Sequence, residues 1–180
     1  MTVCDIIITS GGSSVGEKVR KLFYQDFINQ ALKKLQFDIK FGRIYIKPGK
    51  PTIFATASHD NKCIYFFGLP GNPVSCWVTY HLLVKTFLYK VLNISPPPII
   101  KVKLSSDLET DEKRMEFLRA RFLPRYDNGY RVVEVIPGGQ HSSRFLSVCG
   151  CDLLVIIPSS YQKRCFPKGT LMEGIIISSI

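Results

Sequence analysis

A chain of 180 residues, 46% apolar and 21% charged, is long enough for one large or two small packed domains, and that balance excludes a disordered polypeptide. Lysine and arginine outnumber aspartate and glutamate by 24 to 14, a formal charge of +10 that suits an anionic partner: nucleic acid, a phosphorylated metabolite or an oxyanion. The basic residues are dispersed and match no nucleic-acid-binding motif, and no apolar run approaches the roughly 20 residues of a membrane span, so neither nucleic acid nor a membrane span is expected.

In chain order, residues 5–9 form an apolar run of buried-strand type that leads into the Gly/Ser-rich SGGSSVG of residues 10–16. No basic and then apolar leader opens the chain, and a cytoplasmic location is expected. A helix is predicted over about residues 25–35, with Phe27, Ile28, Ala31, Leu32 and Leu35 on one face. Strands follow at 41–46, 53–57 and 63–68, divided by the Pro48-Gly49 turn and a polar turn at 58–62; a Gly/Pro loop (69–73) then opens a helix from about 74 to 92. Strand, loop and helix in repetition predict an α/β unit with a mostly parallel sheet. Three successive prolines, Pro96 to Pro98, make a stiff linker, and a boundary is placed near Ser95. The remainder reads as strands at 99–104, 117–122, 130–135, 153–157 and 171–177, with turns at Asp127-Asn128-Gly129, Gly138-Gly139 and Lys168-Gly169 and a short helical stretch near 143–148. The expected architecture is an α/β domain over 1–95 and a small all-β, barrel-like domain over 96–180.

Six cysteines include no CxxC pair, and Cys149-Gly150-Cys151 has no histidine couple nearby, so reduced, mostly buried cysteines are expected rather than zinc or disulfides. Three other segments carry chemistry. In SGGSSVG, glycines let backbone amides converge while Ser10 and Ser14 add hydroxyls around Gly11 and Gly12, a turn able to hold an anion; such loops also occur after strands with no ligand. Arg43 and Lys47, four apart on a strand of period two, are expected on one face, and the Pro-Gly turn brings Lys50 back towards them; three cations together repel unless an anion binds, although a solvated basic hairpin is the alternative. GLPGNPVS (68–75) leaves a strand and enters a helix near Ser75, either to present a positive helix end or only to connect strand and helix tightly. Convergence of all three at the carboxyl edge of an α/β sheet makes an anionic ligand the expectation.

In this order, SGGSSVGEK, KPGKP and GLPGNPVS resemble the signature motifs of the molybdopterin molybdotransferase (molybdenum insertase) family, SGGVSVGEKD, MKPGKP and GLPGNPVS. The stretch FGRIYIKPGKPTIFATASHDNKCIYFFGLPGNPVS is similar to the animal gephyrin E domain, and RMEFLRAR (114–121) and QHSSRFLS (140–147) to that family's C-terminal β domain. The resemblance implies part of a three-layer molybdopterin-binding domain followed by a barrel-like domain. It implies insertion of molybdenum from molybdate into adenylylated molybdopterin, with adenylate cleavage assisted by magnesium, in a protein that is a homodimer at full length. Arg43, Lys47, Lys50 and Ser75 would bind molybdate or pterin phosphate together with Ser10, Gly11, Gly12 and Ser14, and Pro70, Gly71, Asn72 and Pro73 would shape the pocket. Asp26, Lys47 and Lys50 would be catalytic, Asp26 also as the metal ligand.

Three departures qualify that implication. Val19 stands where the family has its aspartate, and deleting residues 19–25 (VRKLFYQ) would restore GEKDF with Asp26. The chain opens at the strand before SGG, so an N-terminally truncated form lacking the family's TGDE motif is expected, the alternative being an inactive fragment or a gephyrin-like scaffold and dimerisation module. The C-terminal RANG-like segment reads Cys149-Gly150-Cys151-Asp152.

Overall fold

The computed structural model describes residues 4–12, 27–110, 113–138, 140–159 and 164–177. Its N-terminal part contains β1 (Ile6–Ser10), α1 (Phe27–Lys34), β2 (Asp38–Gly42), β3 (Ile46–Lys47), β4 (Ile53–His59), β5 (Lys62–Leu69), α2 (Pro73–Thr79), a π-helical turn (Tyr80–Val84) and α3 (Lys85–Val91). Four of these strands form a sheet in the order β1-β5-β4-β2. Only the β1–β5 pairing is parallel; β4 runs antiparallel to both of its neighbours. The sheet is therefore mixed, and the expectation of a mostly parallel one is corrected. The cause is the turn Asp60-Asn61, whose residues both take positive φ (49° and 60°), the geometry of a two-residue hairpin that aspartate and asparagine tolerate.

Each sheet face meets a helix. Leu32 of α1 packs on Ile53, Ala55 and Phe66, while Val84, Phe87 and Leu88 cover Phe67, Leu69 and Phe54 on the other face. The expected single helix at 74–92 is one rod with a change of partner inside it: α2 buries Val74 and Val78 against the β-rich half, and α3 packs on the sheet. The intervening π turn carries an extra residue per turn, which re-aims the side chains that follow it.

The C-terminal part contains β6 (Ile99–Leu104), β7 (Leu108–Thr110), β8 (Met115–Asp127), β9 (Tyr130–Val135), a 3-10 turn (Phe145–Val148), β10 (Leu153–Ile157), β11 (Arg164–Phe166) and β12 (Leu171–Ile176). Strands β8, β10, β12, β6 and β9 pair in succession and β9 returns to β8, closing a five-stranded barrel, the barrel-like domain expected from the run of strands after residue 96. Val102, Leu104, Leu118, Ala120, Val133, Leu153, Val155, Ile157 and Met172 fill its interior. Each fully buried aliphatic side chain there contributes roughly 1.5–3 kcal/mol. On the outer wall, Phe117, Leu154 and Ile177 pack against Val74 and Val78 of α2. No helix of the described residues is long and apolar enough to cross a membrane.

Candidate functional site

Two residues of β3 set the geometry of the site. Ile46 joins the apolar cluster between the barrel wall and α2, and Lys47 pairs in register with Glu116 of β8. Partners in register on adjacent strands project to the same face, and the Lys47 Nζ lies 3.0 Å from Glu116 Oε1. Glu116 is buried, and its second oxygen accepts a hydrogen bond from Thr110 Oγ1 at 3.1 Å. Arg114, just ahead of β8, donates from its guanidinium to the Ile46 carbonyl at 3.4 Å.

From Lys47 the chain turns through Pro48, Gly49, Lys50 and Pro51. The Lys47–Pro48 peptide is cis and Gly49 has a φ of +121°. A Cβ on Gly49 would lie 2.4 Å from Thr79 Cγ2, so this turn and α2 approach more closely than any side chain allows. Thr52 Oγ1 donates to the Gly49 carbonyl at 2.6 Å, and the Ile44 amide to the Lys50 carbonyl at 2.9 Å, closing the turn.

The other wall comes from the start of α2 and the loop after β9. Asn72 is the N-cap residue, in extended conformation, and Pro73 opens the helix, which places Ser75, buried, in its first turn. The Val74 amide donates to the Ser142 carbonyl at 3.1 Å and Asn72 Nδ2 to Ser142 Oγ at 3.2 Å. Gln140 is clamped to β8: its carbonyl oxygen accepts from the Arg119 amide at 3.1 Å, and its Nε2 donates to the carbonyls of Arg119 (3.1 Å) and Ile136 (3.2 Å). Lys47, Pro48, Gly49, Lys50, Pro51, Ser75, Arg114, Gly138, Gln140, His141 and Ser142 line a cleft of about 500 Å³. Two ammonium groups, a guanidinium, two hydroxyls and an imidazole can donate into it, while no carboxylate is among the described lining residues. Such a cleft suits a compact, highly charged oxyanion.

The N-terminal 90 residues match the family described as a probable molybdopterin binding domain. Over 174 residues the chain is 38% identical to the molybdenum cofactor synthesis protein cinnamon of Drosophila melanogaster, covering 92% of this chain and 26% of that protein. Gephyrin of Dictyostelium discoideum is 32% identical, with 98% and 26% covered, and the molybdopterin molybdenumtransferase of Haemophilus influenzae is 36% identical, with 79% and 32% covered. The chain belongs to the molybdopterin molybdenumtransferase and gephyrin family. Its fold matches the molybdopterin biosynthesis moeA protein from Pyrococcus horikosii with a TM-score of 0.71 at 24% identity, over 99% of this chain and 38% of that one. The chain thus spans about a quarter to two-fifths of the length of these relatives.

Of the family residues expected from sequence, Lys47, Lys50 and Ser75 come together in the cleft. Arg43 does not line it. The expected strand at 41–46 is broken at Arg43, whose φ is +71°, so Arg43 and Lys47 do not share the face of one strand. The Arg43 side chain is exposed, and its amide donates to the Thr52 carbonyl at 3.0 Å. Lys47 is also not a bare cation, because Glu116 accompanies it. Ser10 and Gly11 lie instead against Pro70 and Gly71, and Gly12 faces Ile28 of α1. The Gly11 amide is bonded to the Leu69 carbonyl at 3.0 Å, and a Cβ on Gly71 would come within 3.3 Å of Gly11 Cα, so here glycine allows two loops to close on each other. Asn72 and Pro73 start α2 beside Ser142, and Pro70 is buried. Ser14, Asp26 and residues 19–25 lie outside the described residues.

Sequence reasoning missed Arg114, Gln140, His141 and Ser142. Both RMEFLRAR and QHSSRFLS had been noted as part of the resemblance, and their clustered polar side chains beside Gly138-Gly139 were the available signal. Among the described residues no three His, Cys, Asp or Glu side chains gather so as to hold a metal ion, and the cleft is lined by cations. These residues do not fit magnesium, and no step is routed through it. The cysteines are not mostly buried as expected: Cys4, Cys63, Cys149 and Cys165 are exposed and only Cys151 is buried, where burial pushes its thiol pKa up to about 11.

Proposed function

We propose that this chain binds a tetrahedral oxyanion, molybdate or the phosphate of molybdopterin, in the cleft between Lys47, Lys50, Arg114 and Ser75. The binding serves insertion of molybdenum into adenylylated molybdopterin. What supports this reading is the convergence of three cations and Ser75 on one cleft in a member of a molybdenum cofactor family. Molybdate and phosphate are strongly hydrated anions, and only charge-assisted hydrogen bonds offset the loss of that water. Lys47 and Lys50 supply point charges, Arg114 a planar fork and Ser75 a neutral donor. On this reading residues 1–95 and 96–180 are two units whose junction is the cleft: Lys47, Lys50 and Ser75 come from the first, Arg114 and Ser142 from the second. The described residues account for binding and orientation. Adenylate cleavage would draw on Asp26, Lys47 and Lys50.

Calorimetric titration with tungstate, molybdate and sulfate tests the assignment. Lys50 is the cleaner probe, because Lys47→Ala would leave the buried Glu116 carboxylate without its ammonium. Lys50→Ala and Arg114→Ala are each expected to cost about 1.5–3 kcal/mol of binding, roughly tenfold to a hundredfold in Kd, with little change in melting temperature. Arg43→Ala is expected to cost less. Equal binding by wild type and the Lys50→Ala/Arg114→Ala double variant would overturn the assignment.

A further inference from the structure

Among the described residues, Glu116 is the one buried carboxylate in contact with a residue of the cleft. Its Oε1 is 3.0 Å from Lys47 Nζ, its Oε2 accepts from Thr110 Oγ1 at 3.1 Å, and its side chain is 7% exposed against 34% for that of Lys47. A carboxylate in this place is costly for a site that attracts anions, since it opposes any negative ligand at short range through a medium far less screening than water. A neutral acceptor would satisfy the Thr110 hydroxyl and one ammonium N–H equally well. The position therefore calls for a reason beyond packing.

Resting on the oxyanion-binding reading above, we propose that Glu116 is a positioning residue that holds the Lys47 ammonium against the cleft wall and cancels part of its charge, so that the site binds its anion weakly enough to release it. An ammonium carries three N–H donors. Glu116 takes one of them and so fixes the ammonium beside the barrel wall. The carboxylate is itself fixed by Thr110, and Lys47 and Glu116 are register partners of β3 and β8, so the pair is held by the backbone as well as by the side chains. Lys50 is exposed, just after the buried Pro48 and Gly49, and supplies charge from a flexible stem, whereas Lys47 supplies charge from a fixed point. An acceptor site that took its anion with all its cations uncompensated would bind tightly and turn over slowly, because affinity that does not distinguish ligand from transition state adds nothing to rate.

The test is tungstate and sulfate binding by the full chain carrying Glu116→Gln, alone and combined with Lys47→Met, with a thermal melt of each variant. Glutamine keeps an acceptor for Thr110 and Lys47 and removes only the charge. Glu116→Gln is expected to bind tungstate at least about tenfold more tightly than wild type, because the Lys47 ammonium then presents its charge to the anion uncancelled. In the Lys47→Met background the same change is expected to give little gain, since Glu116 acts through Lys47. Unchanged or weaker binding by Glu116→Gln at an unchanged melting temperature overturns the proposal, as does an equal gain in both backgrounds, which would mark a general charge effect. If wild type does not bind but Glu116→Gln does, the charge cancellation stands and the native ligand is not a simple oxyanion. If neither binds, the site assignment fails along with it. Should Glu116→Gln not fold, carboxyl carbon NMR of wild type decides: the Glu116 resonance is expected to move on tungstate addition, and a resonance that stays fixed while binding is detected overturns the proposal.

Discussion

The barrel and the four-stranded sheet are built from similar strands, yet they solve the problem of strand edges differently. The barrel closes on itself and gathers nine buried apolar side chains into a single interior. In the sheet, β1 and β2 each pair on one side only among the described residues, Ile8 is 48% exposed, and the core is split between clusters of four and three buried residues. The difference teaches where a precise site can be built. Among the cations of the cleft, Lys47 is tied to the barrel wall through β3 and Glu116 and Arg114 through the Ile46 carbonyl, while Gln140 is clamped to the β8 backbone. The Ser10–Gly12 turn, carried by the sheet, closes on Pro70 and Gly71 instead.

The largest expected effect lies in the barrel interior. Leu153 is fully buried and packs over Gly174, where a Cβ would come within 2.6 Å of Leu153 Cδ1, so there is little room for the wall to collapse into a void. Leu153→Ala is expected to cost about 3–5 kcal/mol in denaturant unfolding, and Leu32→Ala in the sheet about 2–3 kcal/mol, because α1 can settle onto a more open face. Equal losses would remove the contrast between the two regions. Hydrogen exchange sharpens it further: amides of β10 and β12 are expected to exchange more slowly than those of β1 and β2.

Next in size is Gly49→Ala. The left-handed φ and the 2.4 Å approach to Thr79 together are expected to cost about 2–3 kcal/mol and to displace Lys50, lowering oxyanion affinity while the barrel amides keep their protection. Retained affinity would show that the turn tolerates a side chain.

A smaller effect is read through pH. Burial, reinforced by Lys85, lowers the His81 pKa from 6.5 to about 4. The folded state favours the neutral ring, so the unfolded chain takes up a proton first as pH falls. Stability contributed by His81 is fully present above pH 6.5, declines below it and is lost by about pH 4. The melting temperature of wild type is expected to fall across that window, and more steeply than that of His81→Gln. Parallel profiles would contradict the shift. Smallest of all is the Arg121–Glu134 pair on the barrel exterior, which is open to solvent. Arg121→Ala is expected to change stability by less than about 1 kcal/mol in chemical denaturation.

Much of this was legible in the sequence because the signals are local. Apolar, β-branched runs bounded by turn residues marked β6, β9 and β10, and Asn128-Gly129, both at positive φ, closed the β8–β9 hairpin as such a pair does. The KPGKP and GLPGNPVS motifs led to Lys47, Lys50 and Ser75. What stayed hidden depends on long-range pairing. That β3 would lie beside β8 cannot be read from either segment, so neither the Lys47–Glu116 pair nor the part played by Arg114 was visible. Arg43 misled because period-two reasoning assumes an unbroken strand, and nothing local announces a non-glycine residue at φ +71°. The three-residue strands β7 and β11 carry too few residues for any pattern, and the polar turn at 58–62 hid a hairpin that reversed β4.

The central claim is that the oxyanion site sits where the barrel wall meets α2, and one crystallographic measurement addresses it directly. Crystals of the chain soaked in tungstate would locate the metal by its anomalous scattering. The account predicts a peak within hydrogen-bonding reach of Lys47, Lys50, Arg114 and Ser75, absent from Lys50→Ala/Arg114→Ala crystals. A peak at the Ser10–Gly12 turn, with none in the cleft, would contradict it.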